Sequence, residues 1–463
     1  MINFGRFKIF TDYREINDDN IERVLLEAYP LFLSNCRDIE YLFNYFRGLQ
    51  PILNRQKKVR PEINNKIVEN HAYNIAKFRA GYLLEKPIQY VASKNLPNDT
   101  NVVTLNSFME VADKESVDEE IANDRAICGL GYRLCLPNKK FADMGDDSPF
   151  EVSRINPMQA FIIYSSDIGN KPLVGVIILM EKVDDRVEIK LQAYTEDRFY
   201  IYNYSTMRIE SVMPHPYGGI PLIEYPLNKE RMGAFEPVLP MLDAINNIQS
   251  NRVDAIEQFI QAILVFKNIK IRQEMLDQLR DLGAISIADT GEIKANIEFL
   301  QQELNQEQVQ KLINYIVETA YRICATPYAK GSASDSGTST IFHDGWNEIE
   351  AQVRSDELMF KSSERKFLKL ALGFTRTLTR GEVTLKLIDL QIKFTRRLYE
   401  NTYQKIQGLD LLLRNEKIAP RLAFAVSGLF IDSEEAYKES LDWGRGHGAY
   451  KTTEELNNAS KGE

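Results

Sequence analysis

The chain has 463 residues, of which 44% are hydrophobic and 27% charged, the balance of an ordinary folded protein rather than a disordered or fibrous one. Lys plus Arg number 57 against 66 Asp plus Glu, a net charge of −9, which excludes a surface built as a nucleic-acid-binding shell and leaves room only for local DNA contact. Length alone predicts about three domains, or one large body with insertions.

Residues 1–50 read as helical, with Asn17-Asp18-Asp19-Asn20 offering an N-cap before Ile21. From Ile63, the positions Ile67, His71, Ile75, Phe78 and Tyr82 recur at three- and four-residue steps and predict a second helix, which Pro87 closes. His71 on that face reads as a packed core histidine, because no His or Cys lies one turn away. Between Gly129 and Pro226 the period changes to two, so Leu173–Met180, Val187–Ala193, Arg198–Asn203 and Met207–Val212 predict an antiparallel meander. The run from Pro214 to Pro221 holds three prolines and two glycines and is expected to mark the main boundary of the chain.

Beyond it, 236–266 shows a helical pattern with two apolar stripes. Ile245, Val253, Ile256, Ile260 and Ile263 form one, and Ala244, Ile248, Ala255, Phe259 and Ala262 the other. Such a helix needs neighbours on both sides. A compact mixed segment follows over 267–304, then a helix carrying Val309, Leu312, Ile313, Ile316, Val317, Ala320 and Ile323 on one stripe. Residues 329–340 are small and polar with no apolar anchor and predict a loop. A long amphipathic helix then carries Trp346, Ile349, Val353, Phe360, Phe367, Ala371 and Phe374 on one stripe, with Glu350/Arg354 and Glu357/Lys361 as pairs on its wet side. A strand over Leu385–Phe394, two or three short helices over 398–441 and a polar tail from Asp442 complete the pattern. The expected fold class is α+β, mainly helical.

Chemistry is weakly signalled. Cys36, Cys128, Cys135 and Cys324 have no C-x-x-C spacing, and His71, His215, His343 and His447 fall one per region, so no metal site, cofactor or disulfide framework is indicated. Gly331 and Gly337 have the wrong gap for a phosphate loop, no Lys follows Gly337, and the tail glycines from Gly444 fail the same test. His343-Asp344 beside the serine-rich stretch suggests a hydrolytic trio, but no G-x-S-x-G elbow precedes it; His343 reads as a helix-start surface residue. Glu119-Glu120 and Asp146-Asp147 read as solvated faces or turns. No leader pattern opens the sequence, and the most apolar run, Ala255 to Phe266, is interrupted by Glu257, Gln258 and Gln261. The expectation is an intracellular chain without a membrane span.

The order of elements, together with four local motifs, resembles the portal (head-to-tail connector) proteins of long-tailed bacteriophages, from about Asn65 to Tyr437. The motifs are Asn64-Asn65-Lys66-Ile67-Val68 with Gly81 to Ile88; Cys128-Gly129-Leu130-Gly131-Tyr132; His215 to Asn228; and Met232-Gly233-Ala234-Phe235-Glu236-Pro237-Val238 leading into Leu242 to Asn246. The resemblance implies a non-enzymatic ring, usually of twelve subunits, at one capsid vertex. Double-stranded DNA would pass through it in packaging, retention and ejection. It also implies a virion location after assembly in the host cytoplasm, with the terminase large subunit, capsid and scaffolding proteins and a head-tail adaptor as partners.

By position, the resemblance assigns 1–235 to the wing, 236–266 and 305–325 to stem helices, 267–304 to the clip, 326–345 to a tunnel loop, 346–378 to a wing-spanning helix and 379–463 to the crown and tail. It places Ile256, Ile260, Ile313 and Val317 among the packed stem positions, and Arg272, Asp277, Arg280 and Lys294 at the docking surface of the clip. Lys330, Gly331, Ser332, Ser334, Ser336, Gly337, Thr338 and Ser339 would line the DNA channel. A ring also answers the two apolar stripes of 236–266, since a cyclic interface covers on each subunit what a lone chain leaves exposed. A non-viral scaffold or adaptor, and less readily a DNA-processing enzyme, remain as alternative readings.

Overall fold

The computed structural model describes residues 4–93, 100–141, 147–183, 186–260, 263–267, 296–300, 306–328, 343–395, 402–415, 417–430 and 433–446. The chain opens with β1 (Ile9–Thr11), α1 (Ile21–Phe46), α2 (His71–Leu83), β2 (Gln89–Ala92), α3 (Thr100–Val111) and α4 (Lys114–Cys128). Strands β3 (Leu130–Pro137), β4 (Phe150–Ile155), β5 (Ala160–Ser165), β6 (Pro172–Val183), β7 (Arg186–Tyr194), β8 (Arg198–Asn203), β9 (Arg208–Pro214) and β10 (Leu222–Pro226) follow. Then come α5 (Leu239–Ile260), β11 (Ile263–Lys267), β12 (Asn296–Leu300), α6 (Gln306–Ile323) and α7 (His343–Leu378). Strand β13 (Leu390–Lys393) and helices α8 (Thr402–Leu413), α9 (Pro420–Ser427) and α10 (Ser433–Gly446) end the described chain. The fold is a mixture of helix and sheet, as the α+β reading expects.

The expected meander forms. Strands β5 to β9 pair antiparallel in sequence order, and β1 adds in parallel beside β5 to make a six-stranded sheet. Period-two alternation turns Val174, Val176, Ile178, Leu191, Ala193, Tyr200 and Tyr202 to one side. There they meet Ile21, Val24, Leu25, Ala28, Tyr29 and Phe32, the helical-period stripe of α1.

The proline-rich run is a crossover and not the main boundary. After it, β10 pairs with β3 in a second sheet ordered β10-β3-β4, and Leu222, Ile223, Tyr225 and Leu227 join the cores on either side. The prolines and glycines carry the chain from one sheet edge to another without demanding ladder hydrogen bonds.

Several predicted boundaries move. Helix α2 starts at His71, not near Ile63, since Asn65, Ile67 and Glu69 give their backbone N–H groups to another helix, as described below. The helix expected over 236–266 spans Leu239–Ile260, preceded by a 3-10 turn at Glu236–Val238. Ile263-Leu-Val-Phe-Lys267 instead pairs antiparallel with β12, from Ile263 opposite Leu300 to Lys267 opposite Asn296. A short unbroken apolar run fits a buried helix and a strand equally well, and here pairing decides. Helix α7 begins at His343, three residues before its predicted start and at the residue read as a helix start. The strand expected over 385–394 shortens to β13, which pairs with β2, and α10 takes in Asp442 to Gly446 of the supposed tail. Of the two pairs expected on α7, Glu357 binds Lys361 at 2.5 Å, while Glu350 is drawn to the Tyr82 hydroxyl instead of Arg354.

Helix α7 buries Ile349, Val353, Phe360, Phe367, Leu368, Ala371 and Phe374 in one cluster with residues of β2, β3 and β10. Charge is enclosed within this apolar contact. Glu364 of α7 accepts from Arg133 of β3 at 3.0 Å and from Lys114 of α4 at 2.9 Å, while Asp118 holds the other side of both cations. Tyr90 and Tyr225 also donate to Glu364, the latter at 2.9 Å, and Arg133 stacks over Tyr225 and Phe367. Desolvation opposes ionisation of Glu364, but Lys114 and Arg133, helped by the Tyr90 hydroxyl, hold its carboxyl down at about 2. Two cations and two carboxylates cancel, so the cluster is neutral as a whole.

Removing one member leaves an uncompensated buried charge. Glu364→Ala is therefore expected to cost about 3–5 kcal/mol of unfolding free energy, measured by denaturant titration. A loss under about 1 kcal/mol would show that the cluster does not fix α7.

Candidate functional site

Helices α5 and α6 pack together and share one core with α1, α2 and α4, in which Leu239, Leu242, Ile245, Ile313, Val317, Ala320 and Tyr321 are buried. Arg252 of α5 ties the pair at its far end, donating to Gln306 at 2.7 Å and Gln310 at 2.6 Å.

Residues 64–70 strap α5 from outside. The backbone N–H groups of Asn65, Ile67 and Glu69 donate to Asp254 Oδ1, Ser250 Oγ and Asn246 Oδ1 at 2.7, 2.9 and 2.8 Å. Two residues of near-extended chain advance about 6.6 Å and four residues of helix about 6.0 Å, so every second amide meets every fourth side chain. Three polar residues at i, i+4 and i+8 thus replace a strand partner for a segment that has none. His71 closes the strap, its ring nitrogens 3.1 Å from the Tyr321 hydroxyl and from Glu69; it is a structural histidine, as its lone place on α2 indicated.

Asp254 is the anchor. Arg55 and Lys57 lie 3.1 and 3.0 Å from its carboxylate, and the Asn65 side-chain amide donates to it at 2.9 Å. Desolvation pushes this carboxyl up, but the Asn65 N–H, Lys57 and the Asn65 side chain outweigh it and leave it below its ordinary value.

The motifs that carry the family resemblance meet at the base of α5. Gly129 has φ +83°, and a Cβ there would lie 2.1 Å from the Arg231 carbonyl oxygen; one at Gly233 would lie 2.3 Å from that of Ile127. The Cys128–Tyr132 and Met232–Val238 segments therefore touch backbone to backbone, joined by Ala234 N–H to Ala126 C=O at 2.8 Å. Glu236 receives the N–H groups of Gly5 and Gly233 at 2.8 and 2.7 Å and the Arg6 guanidinium at 2.5 Å. This assembly orients α5 as it leaves the body.

The four stem positions separate. Ile313 and Val317 are buried within the chain, so they pack intrachain and are not free to meet another subunit. Ile256 is 49% exposed, and the Ile260 side chain lies outside the described residues. Beside the buried stripe of α6 runs an exposed one, with Leu312 at 49%, Tyr315 at 67% and Ile323 at 55%. At 100° per residue Leu312, Tyr315, Ile316, Thr319 and Ile323 fall within one 100° arc. Tyr315 escaped the sequence reading because an apolar pattern does not tell which side of a wide stripe is covered. Arg272, Asp277, Arg280 and Lys294, and the loop residues Lys330 to Ser339, lie outside the described residues.

Among the described residues no group of His, Cys, Asp and Glu could hold a metal ion, and no helix is long and apolar enough to cross a membrane. All four cysteines are free, and burial pushes the Cys36 and Cys324 thiols up to about 12.

Residues 33–442 match the family described as phage portal protein, SPP1 Gp6-like. Among solved structures, the chain is similar to one in the "Virion of native gene transfer agent (GTA) particle", at 9% identity and a TM-score of 0.41, over 85% of this chain and 94% of that one. No curated protein sequence matches.

The strap yields a pH prediction. A carboxyl held below its unfolded value, about 3.9, stabilises fully above that value and loses its contribution as pH falls through the lowered one. Hydrogen exchange of the Asn65 and Ile67 amides should thus be slow and pH-independent after intrinsic correction from pH 7 to about 4.5. Protection should fall below about pH 3.5, and Asp254→Ala should lose it at neutral pH, for a cost of about 1.5–3 kcal/mol. Equal protection in the variant and the native chain would remove Asp254 as the anchor.

Proposed function

The chain belongs to the phage portal protein family, and we propose that it assembles, as a dodecamer, into the ring-shaped channel at one capsid vertex through which the genome is packaged, retained and ejected. Portal proteins are structural components of the phage particle, which makes the virion the site of action. The observation that carries the ring reading on this chain is the exposed apolar stripe of α6 beside a fully packed inner stripe. An exposed row of Leu, Tyr and Ile favours a protein contact, and a head-to-tail contact repeated about an axis closes a ring.

In this reading α5 and α6 are the stem, and β11 and β12 start and end the clip. Arg272, Asp277, Arg280 and Lys294 of the clip dock the terminase large subunit and then the head-tail adaptor, while the body meets capsid and scaffolding proteins. Lys330 to Ser339 line the channel. Ser332, Ser334, Ser336, Thr338 and Ser339 donate sequence-blind hydrogen bonds to phosphates, contacts that position a duplex without reading it, and Gly331 and Gly337 let the loop follow the moving strand. Assembly takes place in the host cytoplasm, and the chain performs no chemistry of its own.

Tyr315→Glu is expected to leave the subunit folded, with stability within about 0.5 kcal/mol of the native chain, yet abolish rings in sedimentation velocity and negative-stain images. Val317→Asp should unfold the subunit, because it buries an unpaired carboxylate at several kcal/mol. A Tyr315→Glu protein that still sediments as a full ring moves the subunit contact off α6.

The loop is tested by a photo-cross-linker on Ser336→Cys during packaging. Adducts with the translocating DNA are expected from this site and not from the same probe at Lys139→Cys on the outer surface; the reverse pattern places the channel lining elsewhere.

A further inference from the structure

Helix α7 carries a second pattern on the face opposite its buried stripe. At 100° per residue, Arg354, Lys361, Arg365, Lys369 and Arg376 fall within one 100° arc, and Arg380 follows in the turn just past the helix end, with φ +52°. The other helical positions of that arc between 354 and 376 are Leu358, Ser362 and Leu372, none acidic; Leu372 is buried, and the cations on either side of it are exposed. Twenty-two residues at about 1.5 Å each make the row about 33 Å long. Lys361 is half-buried and paired with Glu357, while Arg354, Arg365, Lys369, Arg376 and Arg380 are exposed and form no ion pair among the described residues.

Such a row is unexpected by charge alone. In a chain of net charge −9, exposed cations would be interspersed with acids if solubility were their only use, and on α7 three of the acids near the row are turned away from it. Asp356 and Glu364 are buried against Arg79 and the Lys114–Arg133 cluster, and Glu350 is bound to Tyr82. The helix thus commits Asp356 and Glu364 to the core, leaves Glu357 on Lys361, and presents Arg354, Arg365, Lys369 and Arg376 to solvent with no acid in their arc. Lys369 also borders a cavity of about 580 Å³ that Glu196 and Asp197 line as well, and no ion pair joins them to Lys369 among the described residues.

We infer that the outward face of α7 is a binding surface for the phosphate backbone of double-stranded DNA. A duplex is the partner whose charge is both uniform in sign and repeated along a line as long as the row, whereas the acidic groups described on this chain are scattered. Guanidinium groups suit phosphate in particular, because their planar fork can take two oxygens at once, and Arg354, Arg365 and Arg376 make up most of the row. Binding of this kind is blind to sequence. Five cations in line would hold a strand, so this surface meets DNA at rest against the protein and not the strand in transit. The inference rests on the portal reading for the presence of DNA, but not for the surface itself.

The test compares the full chain with the triple variant Arg354→Gln, Arg365→Gln, Lys369→Gln, and with a control carrying the same charge change at the exposed Lys58, Lys139 and Lys140. Fluorescence anisotropy of a labelled 30-base-pair duplex gives the slope of log binding constant against log KCl concentration, read on whatever species each protein forms, and negative-stain images record the rings. The triple variant is expected to give a slope shallower by about 2 to 3, about 0.9 for each phosphate no longer neutralised, while the control stays near the native value. An unchanged slope, or an equal change in the control, overturns the inference. So does a triple variant whose slope is native but whose rings fall apart, since the row then serves an acidic surface of a second copy. Absence of rings from the native protein counts against the portal reading alone, because the slope is still measured.

Discussion

The position of α7 depends on charge neutrality inside the body. A helix of that length could slide along its own axis on an apolar surface, because Phe, Leu and Ile contacts are not directional. Glu364 removes that freedom: it faces Lys114, Arg133, Tyr90 and Tyr225 from α4, β3, β2 and β10 at once, and a shift by one turn would leave both cations without one of their two carboxylates. Replacing the whole cluster by well-packed apolar residues could be as stable or more so. What the ions contribute is register, and with it the direction in which every exposed residue of α7 points.

The same logic, with backbone donors in place of buried cations, governs α5. The strap from Asn65 to Glu69 brings backbone donors that would otherwise be orphaned, and a buried donor without a partner costs more than a made bond returns. Asn246, Ser250 and Asp254 satisfy them only while the two spacings stay in step, so the strap and helix fix one another. Because Arg55 and Lys57 converge on the same Asp254, the segment before the strap is tied to the helix as well. The outer part of α5, where Val253 and Ile256 emerge into solvent, is therefore held from the body side before any neighbour arrives.

Periodicity made much of this legible. The meander, α1, α6 and α7 follow from steps of two or of three and four, since each buries one face on a single partner. The signal failed where burial was not one-sided. Ile263 to Phe266 is uniformly apolar, so its pairing with β12 could not be told from continued helix. Ile67 lies in step with α2 by coincidence, while its amide is committed to Ser250. The buried charges carried no signal at all: no pattern singles out Lys114, Asp118, Arg133 or Glu364, and nothing local in a sequence tells a carboxylate that will find two cations across the fold from one that will find water. The glycine motifs were informative for a reason that spacing does not reveal, namely that Gly129 and Gly233 let two segments approach closer than any Cβ permits.

The distribution of charge between inside and outside links the stability of this body to its surface. Each carboxylate drawn into the core neutralises a cation there, so the residue types that balance on paper do not balance at the surface. On α7 the division is local: Asp356 and Glu364 lie on the buried side of the helix, serving Arg79 and the Lys114–Arg133 pair, and the arginines and lysines of the outer row have no acid within their arc. A helix built to be locked by buried ions therefore acquires a polarised outer face from the same set of residues. Mutations that neutralise the interior cluster and mutations that neutralise the outer row lie on one element but act through different media. The first act where charge is scarcely screened, the second in water, where a Debye length of about 8 Å at physiological salt limits the reach of each cation. Added salt is therefore expected to weaken what the outer row holds well before it loosens the helix that presents it.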